Sequence, residues 1–258
     1  MRTWDSLWAV RCVWLRYFDV FRKSLTYYLV TTFAEPILYL LSFGLGVGSL
    51  VGSLKLNGAD VAYRSFVFAG ILGQTVLFQG FYEASFGGFV RMYYQKIYTA
   101  MAVTPITLSE VLWGELLWDA TKSSLAAEVV VLIGVLTGDF PAVALATVLP
   151  VAFLASLLFA GMGLLVAARS RSIDEISYPQ YLLIFPMFLF CGVFYPVETL
   201  PAPLQWVAWA LPLTSVNSVM RTLTLGFPFQ VWSVPILAAW LLLLVAFSRR
   251  AMVGRLVK

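Results

Sequence analysis

Long apolar runs separated by short polar stretches dominate this chain from about residue 27 onward. Six runs are long enough to cross about 30 Å of hydrocarbon at about 1.5 Å per helical residue. They lie near residues 27–50, 65–89, 111–136, 142–168, 177–197 and 231–250. The third run is the least regular, because it contains Glu115, Asp119, Lys122 and Glu128. The pattern predicts an all-α membrane protein with six transmembrane helices in a single domain, residues 1–258.

The first 24 residues differ from the six runs because they carry too many charges to span a bilayer. Between Leu7 and Phe21 the apolar side chains fall mainly on one arc of a 3.6-residue helix, although Arg11 intrudes on it. Such a segment suits an amphipathic helix lying in the membrane interface. A simple basic anchor that fixes topology is the alternative interpretation.

The composition supports membrane insertion, and the charges give an orientation. The chain is 61% hydrophobic and 12% charged, whereas soluble domains carry about 25% charged residues. Thirteen basic residues lie in segments on the side of the two termini, against three (Lys55, Arg64 and Arg221) on the other side. This bias predicts cytoplasmic N- and C-termini. Because the basic residues flank apolar runs, the net charge of +4 indicates topology and not nucleic-acid binding.

The stretch RMYYQKIYTAMAVTPITLSE, residues 91–110, is a polar and aromatic interruption on the predicted cytoplasmic side. Pro105 disfavours helix at the residue before it, and Thr107–Glu110 has the spacing of a capping box. We therefore expect a short helix over about 92–102, a turn, and then the third span. A similar Ser172–Glu175 pattern predicts the start of the fifth span.

The stretch from residue 196 to 230, between the fifth and sixth runs, is too apolar for a free loop. It contains Pro196, Pro201, Pro203 and Pro212 together with two tryptophans. Backbone groups at membrane depth must be hydrogen-bonded within the protein. The stretch therefore predicts short, broken and partly re-entrant helices on the outer face.

The usual residues of catalysis and ATP binding are missing from the sequence. It has no histidine, no GxxxxGK[ST] phosphate loop and no closely spaced cysteine pair. This argues against a histidine-based hydrolase, an ATPase and a zinc site. The sequence predicts a chain that is not an enzyme and holds no metal or cofactor.

Five of the ionisable residues within the predicted spans are the most specific chemical signal of the sequence; Glu128, also in the third span, points to the other side of its helix. Glu115, Asp119 and Lys122 share one face of the third span at i, i+4 and i+7, and Glu35 and Glu83 lie in the inner half of the first two spans. Charges at such depth are costly and usually contact protein or water. The set suits a structural cluster joining the first three spans, a site for a substrate headgroup, or a proton relay.

Two long segments resemble a known family. FYEASFGGFVRMYYQKIYTAMAVTPITLSEVLWGELLWDATKSSL (Phe81–Leu125) and PQYLLIFPMFLFCGVFYPVETLPAPLQWVAWALPLTSVNSVMRTLTLG (Pro179–Gly226) follow the order of motifs in type-2 ABC exporter permeases. The closest likeness is to the branch of nodulation-factor (lipo-oligosaccharide) and daunorubicin-type exporters. Together with the six-span layout, the resemblance covers most of the chain.

The resemblance implies a permease in the bacterial cytoplasmic membrane that works as a pair of identical subunits. Each subunit would engage a separate ATP-binding cassette subunit, which binds ATP and magnesium, so this chain needs neither. The partners are then a second copy, two ATPase subunits and membrane lipid, without nucleic acid. The cargo would be a lipid-linked, oligosaccharide or other amphiphilic molecule. An ion-coupled secondary transporter using Glu115, Asp119 and Lys122 is the alternative function.

The resemblance also assigns roles to aromatic residues. The helix near 92–102 corresponds to the coupling helix that docks on the ATPase, and its candidate docking residues are Tyr93, Tyr94, Lys96, Tyr98 and Met101. The transport pathway would be lined by the first and fifth spans, and its candidates are Tyr39, Phe43, Tyr181, Phe185, Phe188 and Tyr195. Plain interfacial anchoring and plain helix packing are the corresponding alternatives.

Overall fold

The computed structural model describes residues 2–56 and 59–256 and is almost entirely helical. Helix α1 covers Arg2–Lys23 and is followed by α2, Leu25–Tyr39. Helix α2 continues through a π-helical stretch, Leu40–Val47, into α3, Gly48–Val51. A short antiparallel hairpin of β1 (Ser53–Leu56) and β2 (Ala59–Ala62) then reverses the chain. The sequence pattern did not predict this hairpin.

The central part of the fold consists of three long helices. Helix α4 covers Tyr63–Tyr82 and extends through two π-helical stretches, Glu83–Gly87 and Val90–Tyr94. The short helix α5, Ile97–Ala102, connects it to α6, Leu108–Leu136, and α7 follows as Ala144–Arg169.

The last third of the chain is more broken. A 3₁₀ turn, Asp174–Ile176, leads into α8, Ser177–Pro179, a π-helical stretch, Gln180–Ile184, and α9, Phe185–Phe190. After a 3₁₀ turn at Val197–Thr199 come α10, Ala202–Ala210, and α11, Pro212–Leu225. The final helix α12 is Ser233–Leu256.

The core lies where α4, α6 and α7 pack on one another, with α11 and α12 beside them. Glycine permits the closest approach between α4 and α7. A Cβ atom at Gly163 would lie 2.5 Å from the carbonyl oxygen of Phe81 and 2.9 Å from the Cβ of Ala84. Helix α1 packs on the first turns of α6 in the same way, since a Cβ at Gly114 would lie 2.6 Å from the Cβ of Val13.

Among the described residues, two helices are long and apolar enough by themselves to cross a membrane. They are Tyr63–Tyr94 and Ala144–Arg169, whose most apolar stretches of 18 residues have mean hydropathies of 1.2 and 2.3. Ser233–Leu244 is apolar but shorter. Helix α6 has the length of a span, but beyond Glu110 in its first turn it contains four more charged residues, Glu115, Asp119, Lys122 and Glu128.

Three predicted boundaries were wrong. The short helix before the third run begins at Ile97 and not near residue 92, because the π-helical end of α4 runs to Tyr94 and Lys96 takes a left-handed conformation with φ of 51°. The helix of the fifth run ends at Phe190 and not at 197, because the chain turns at Gly192 with φ of 75°. Ser172 does not cap its helix; the turn there begins at Asp174.

The predicted capping box at the start of α6 is confirmed. The Thr107 backbone N–H donates to Oε2 of Glu110 at 2.7 Å, and the Glu110 N–H donates to Oγ1 of Thr107 at 3.4 Å. Partial burial acts to raise the pKa of Glu110, but hydrogen bonds from Thr107 and Ser6 outweigh it, and the pKa lies below its usual value. The box therefore fixes the point at which the chain enters α6.

Candidate functional site

Arg91 forms the centre of a charge cluster that we call the Arg91 cluster: Arg91, Glu83, Glu115, Asp119 and Lys122. Arg91 lies on the π-helical end of α4, two helical turns after Glu83, and its side chain points back into the protein and is only 12% exposed. Its Nη1 donates to Oε1 of Glu83 at 2.9 Å, and its Nη2 donates to the Glu83 carbonyl oxygen at 3.2 Å. The last turns of α4 are thereby closed by one of their own side chains.

The same guanidinium joins α4 to α6. Its Nε donates to Oε1 of Glu115 at 2.7 Å, and its Nη2 lies 2.5 Å from that oxygen and 3.3 Å from Oδ1 of Asp119. Glu115 and Asp119 are fully buried on adjacent turns of α6. A planar guanidinium can reach several carboxylates in this way, whereas an ammonium acts as a single point charge.

Two tyrosines and a lysine complete the surroundings of the cluster. The Tyr17 hydroxyl, from α1, donates to Oε2 of Glu115 at 2.5 Å, and Arg91 lies 5.2 Å from the centre of the Tyr17 ring. Lys122 pairs with Oε2 of Glu83 at 2.5 Å and lies 4.9 Å from the ring of Tyr28. Tyr28 in turn donates to the Lys122 carbonyl oxygen at 2.7 Å. Helices α1, α2, α4 and α6 therefore meet at these charges.

The charges of the Arg91 cluster do not balance when all groups are ionised. Three carboxylates face two cations, and Oδ2 of Asp119 is buried without a hydrogen-bond partner. Buried ionic groups are stable only when paired and hydrogen-bonded. The arrangement can act as a rigid joint between helices, and it can also hold one additional proton.

Glu35, predicted as part of the same polar set, lies elsewhere. Its Oε1 accepts from Nε2 of Gln74 at 3.5 Å, between α2 and the middle of α4. Nearby, Gln180 donates to the Tyr82 hydroxyl at 3.2 Å. The structure thus brings four of the five predicted polar residues together and separates Glu35 from them.

The candidate docking residues on and before α5 divide into two groups. Tyr94, which is 68% exposed, and the exposed Lys96 face away from the protein. Tyr98 and Met101 are buried in the apolar cluster that contains Tyr17 of α1. Tyr93 is partly buried and stacks on Phe89, with ring centres 4.3 Å apart. Tyr94 and Lys96 are therefore accessible to a partner, whereas Tyr98 and Met101 attach α5 to the rest of the fold.

The candidate pathway residues form part of a continuous row of aromatic rings between α2 and α8–α9. Tyr181 stacks on Phe185 at 5.5 Å, and Phe188 lies 6.2 Å from Tyr39, which stacks on Phe43 at the same distance. Tyr195 lies beyond the end of α9 and donates its hydroxyl to the Leu189 carbonyl oxygen at 2.7 Å. The row is partly open, because Tyr181 is 64% and Leu182 is 78% exposed.

Sequence reasoning missed three residues of these two sites. The sequence marks Arg91 only as one of the basic residues on the side of the termini, although its position eight residues after Glu83 places both on the same side of a helix. Phe194 contacts Phe43 at 4.2 Å and Phe188 at 5.2 Å, and Phe78 contacts Phe188 at 5.2 Å. No local pattern marked Phe78 or Phe194, because the contacts of Phe78 with Phe188 and of Phe194 with Phe43 join residues that are distant in sequence.

Comparison with known proteins agrees with this architecture. The ABC-2 type transporter family matches residues 9–225. Nodulation protein J of Rhizobium leguminosarum bv. viciae is 32% identical over 216 residues, which cover 84% of this chain and 82% of that protein. Nodulation protein J of Rhizobium meliloti (strain 1021) is 32% identical over 221 residues, or 86% and 83% of the two chains.

A more distant relative has the same extent of similarity. The inner membrane transport permease YadH of Escherichia coli (strain K12) is 22% identical over 218 residues, which cover 84% of this chain and 83% of that protein. The resemblance to ABC exporter permeases of the nodulation-factor branch is thus confirmed over most of the chain, from α1 to the end of α11. This chain belongs to the ABC-2 type transporter family.

Proposed function

We propose that this chain is the membrane-spanning permease subunit of an ATP-driven exporter that moves an amphiphilic, lipid-linked or oligosaccharide molecule outward across the bacterial cytoplasmic membrane. The family and its relatives support a permease role. The observation that carries the coupling part of the proposal is the placement of α5. Tyr94 and Lys96, just before α5, are exposed, and the Arg91 cluster lies directly behind them.

In this proposal six helical segments span the membrane and both termini are cytoplasmic. The segments are α2–α3, α4, α6, α7, α8–α9 and α12, with α10 and α11 on the outer face as short re-entrant helices. An ion pair supports placing the start of α4 and the end of α6 on the same side of the membrane. Nη2 of Arg64, at the start of α4, donates to Oδ2 of Asp139, just after α6, at 2.6 Å. The opposite ends of these helices meet at the Arg91 cluster.

Docking of a separate ATPase subunit would act on Tyr94 and Lys96, together with exposed Val103 on the far end of α5. Movement there is transmitted inward, since Tyr98 and Met101 are packed against α1 and α6. ATP and magnesium would be bound by the partner. Ligand energy shifts a permease between states only through contacts that differ between those states.

The transported molecule would pass beside the aromatic row of α2 and α8–α9, at a seam with a second copy of the chain. Exposed Tyr181 and Leu182 and the exposed face of α2 support this placement, because a large apolar surface on a membrane protein must contact lipid or another subunit. Aromatic rings bind both acyl chains and sugar rings, which favours an amphiphile as cargo.

Affinity purification of the tagged chain from its native membranes tests the coupling proposal. We expect a Walker-motif ATPase to co-purify, with ATP hydrolysis in the eluate. Lys96→Glu and Tyr94→Ala should each reduce its recovery. Arg169→Glu is the matched control, because Arg169 is also exposed, at the end of α7. Equal recovery of the ATPase with Lys96→Glu and wild type would contradict docking at α5.

The uneven charge of the Arg91 cluster favours one second candidate, an ion-coupled transporter. In that case the unpaired oxygen of Asp119 would take part in proton uptake. Transport into inverted vesicles distinguishes the two functions. An exporter should stop when ATP is withheld and continue when a protonophore collapses the proton gradient; the opposite pair of results would support ion coupling.

A further inference from the structure

A cavity of about 360 Å³ lies on the side of the molecule opposite the Arg91 cluster. It is lined by the turn after α9, the end of α10, the face of α11 from Thr214 to Arg221, Phe66 of α4 and the stretch 227–230. Its volume falls in the range of about 300–1,000 Å³ that is typical of small-ligand sites. The cavity shares no lining residue with the Arg91 cluster, so that cluster does not account for it.

The most unusual lining residue is Arg221 of α11, a buried cation without a counter-ion. Its Nη2 donates to the Gly192 carbonyl oxygen, and its guanidinium lies 3.8 Å from the centre of the Phe66 ring. Its Nε has no hydrogen-bond partner, and none of the described carboxylates forms an ion pair with it. Breaking or omitting the partner of a buried charge is strongly unfavourable.

The electrostatic state of Arg221 agrees with its surroundings. Burial lowers the pKa of Arg221 to about 9, and Glu198 acts in the opposite direction. Glu198 is exposed at the rim of the cavity, where water screens its charge. The cavity therefore keeps a net positive site in its wall and an acidic side chain at its mouth.

The other polar groups of the wall are divided into donors and acceptors. Trp209, Ser218 and Gln230 line the cavity and show no side-chain hydrogen bond to other described residues. The hydroxyls of Thr199 and Thr214 already donate to the carbonyl oxygens of Pro196 and Ala208. The side chains that remain free to donate to a ligand are those of Arg221, Trp209, Gln230 and Ser218. Guanidinium, indole, amide and hydroxyl donors of this kind suit an oxyanion.

The aromatic residues near the cavity indicate what approaches it. Trp206 and Trp232, in the neighbouring segments, are 78% and 81% exposed. Tryptophan is enriched where a protein surface crosses the headgroup layer of a bilayer. In the orientation proposed above, the cavity opens at the outer headgroup layer. Only this choice of membrane side rests on the proposed function; the cavity and its lining do not.

We propose that this cavity is a binding site for a phosphate-bearing headgroup at the outer surface of the membrane, with the Arg221 guanidinium as its main anchor. The phosphate supplies the counter-charge that the fold does not provide to Arg221, and Trp209, Ser218 and Gln230 donate to its remaining oxygens or to the attached alcohol. Glu198 at the rim opposes the anion and limits how long it stays. The headgroup belongs either to a bilayer phospholipid or to an amphiphile that has been moved outward.

The test measures binding to the purified full chain by two probes. One probe is soluble glycerol 1-phosphate, followed by calorimetry; the other is phosphatidylglycerol in nanodiscs, with phosphatidylcholine for comparison, followed by native mass spectrometry. Arg221→Gln should weaken binding by about tenfold or more, since it removes a charged hydrogen-bond donor. Glu198→Gln should tighten binding by about twofold to fivefold, since it removes an exposed like charge.

The outcomes separate the possible sources. Binding of glycerol 1-phosphate supports recognition of the phosphate and its alcohol alone, and binding restricted to phosphatidylglycerol nanodiscs supports a membrane lipid. Glu198→Gln keeps the test decisive even if Arg221→Gln does not fold, because Glu198 is exposed.

Binding of neither probe would overturn the proposal. Weaker binding with Glu198→Gln would also overturn it, because the Glu198 carboxylate would then attract the ligand, as expected for a neutral polyhydroxyl ligand and not for an anion. No ATPase is present in the assay, so its failure is independent of the exporter function.

Discussion

Replacing Arg91 by methionine gives the most informative test of how the Arg91 cluster holds the helices together. The substitution removes a guanidinium that contacts Glu83, Glu115 and Asp119 while leaving a side chain of similar length. Glu83 keeps Lys122 at 2.5 Å. Glu115 keeps only the Tyr17 hydroxyl, and Asp119 loses its one ion pair, although both carboxylates are fully buried.

The size of the effect follows from that count of lost partners. Removing one partner of a buried ion pair costs about 3–5 kcal/mol, because the remaining charge is buried without compensation. For a chain of this size, 1 kcal/mol corresponds to about 2–4 °C in the unfolding midpoint, so we expect a decrease of about 6–20 °C. The unfolding midpoint of Arg91→Lys should lie between those of the wild type and Arg91→Met, since an ammonium cannot contact three carboxylates at once.

A thiol-reactive dye provides the assay. Cys191 is fully buried and becomes accessible on unfolding, whereas Cys12 is partly exposed, so the measurement uses a Cys12→Ser background. The double variant Arg91→Met with Glu115→Gln should lose less stability than the two single variants together, with a coupling energy of about 0.5–3 kcal/mol. Arg169→Met is the control, because that side chain is exposed at the end of α7.

Two results would refute the reasoning. If Arg91→Met unfolded within about 2 °C of the wild type, as is usual for exposed sites, the ion pairs would not hold the helices together. If the single and double variants were strictly additive, Arg91 and Glu115 would not act on each other, and the loss would have another cause.

Three further predictions address other parts of the fold. Gly163→Ala should destabilise the protein by about 1–3 kcal/mol in the same dye assay, because the added Cβ meets Phe81 and Ala84, whereas Gly46→Ala, with its nearest atom at 4.0 Å, should cost much less. Thr107→Ala should lower the free energy of unfolding by about 1 kcal/mol. Because the capping hydrogen bonds lower the pKa of Glu110, the Glu110 carboxylate contributes its full stabilisation at pH values above the usual pKa of a glutamate, and this stabilisation is lost as the pH falls through the lowered pKa. The difference in stability between Glu110→Gln and wild type should therefore shrink in acid. Tyr181→Cys in a cysteine-free background should form a disulfide-linked dimer in membranes if α8–α9 faces a second copy, and Leu154→Cys on α7, also exposed, should not; equal cross-linking at both sites would argue against the proposed seam.

The sequence predicted helix starts and helix faces correctly where the interacting residues lie within one or two helical turns of each other. The capping box of Thr107 and Glu110 formed as expected, because both partners lie within one turn. The i, i+4 and i+7 spacing of Glu115, Asp119 and Lys122 correctly placed three ionisable side chains on neighbouring turns of α6. Both patterns depend on helix geometry alone.

Signals that depend on tertiary packing were not visible in the sequence. In the sequence Arg91 serves only as a topology signal, because basic residues at the ends of apolar runs usually mark the cytoplasmic side, and only the folded chain shows three carboxylates around it. Tyr98 and Met101 have the composition of a docking surface, yet they are buried against α1, which is more than 70 residues away in sequence. Arg221 was counted as an outer surface charge and is instead enclosed beside Phe66.

The position of the Arg91 cluster constrains how an exporter of this kind can move. Because Arg91 and Lys122 tie α4 to α6, and Tyr17 ties α1 to the same charges, a force on α5 should displace these helices together and not separately. The protein interior is close-packed and transmits such a displacement with little deformation. The contacts free to change are then those at the edge of this body, along the aromatic row between α2 and α8–α9, where the helices contain π-helical stretches and the rings are partly exposed. In the proposed mechanism a force on α5 therefore moves α1, α4 and α6 as one rigid group. The pathway opens along the aromatic row between α2 and α8–α9, which the Arg91 cluster does not bridge.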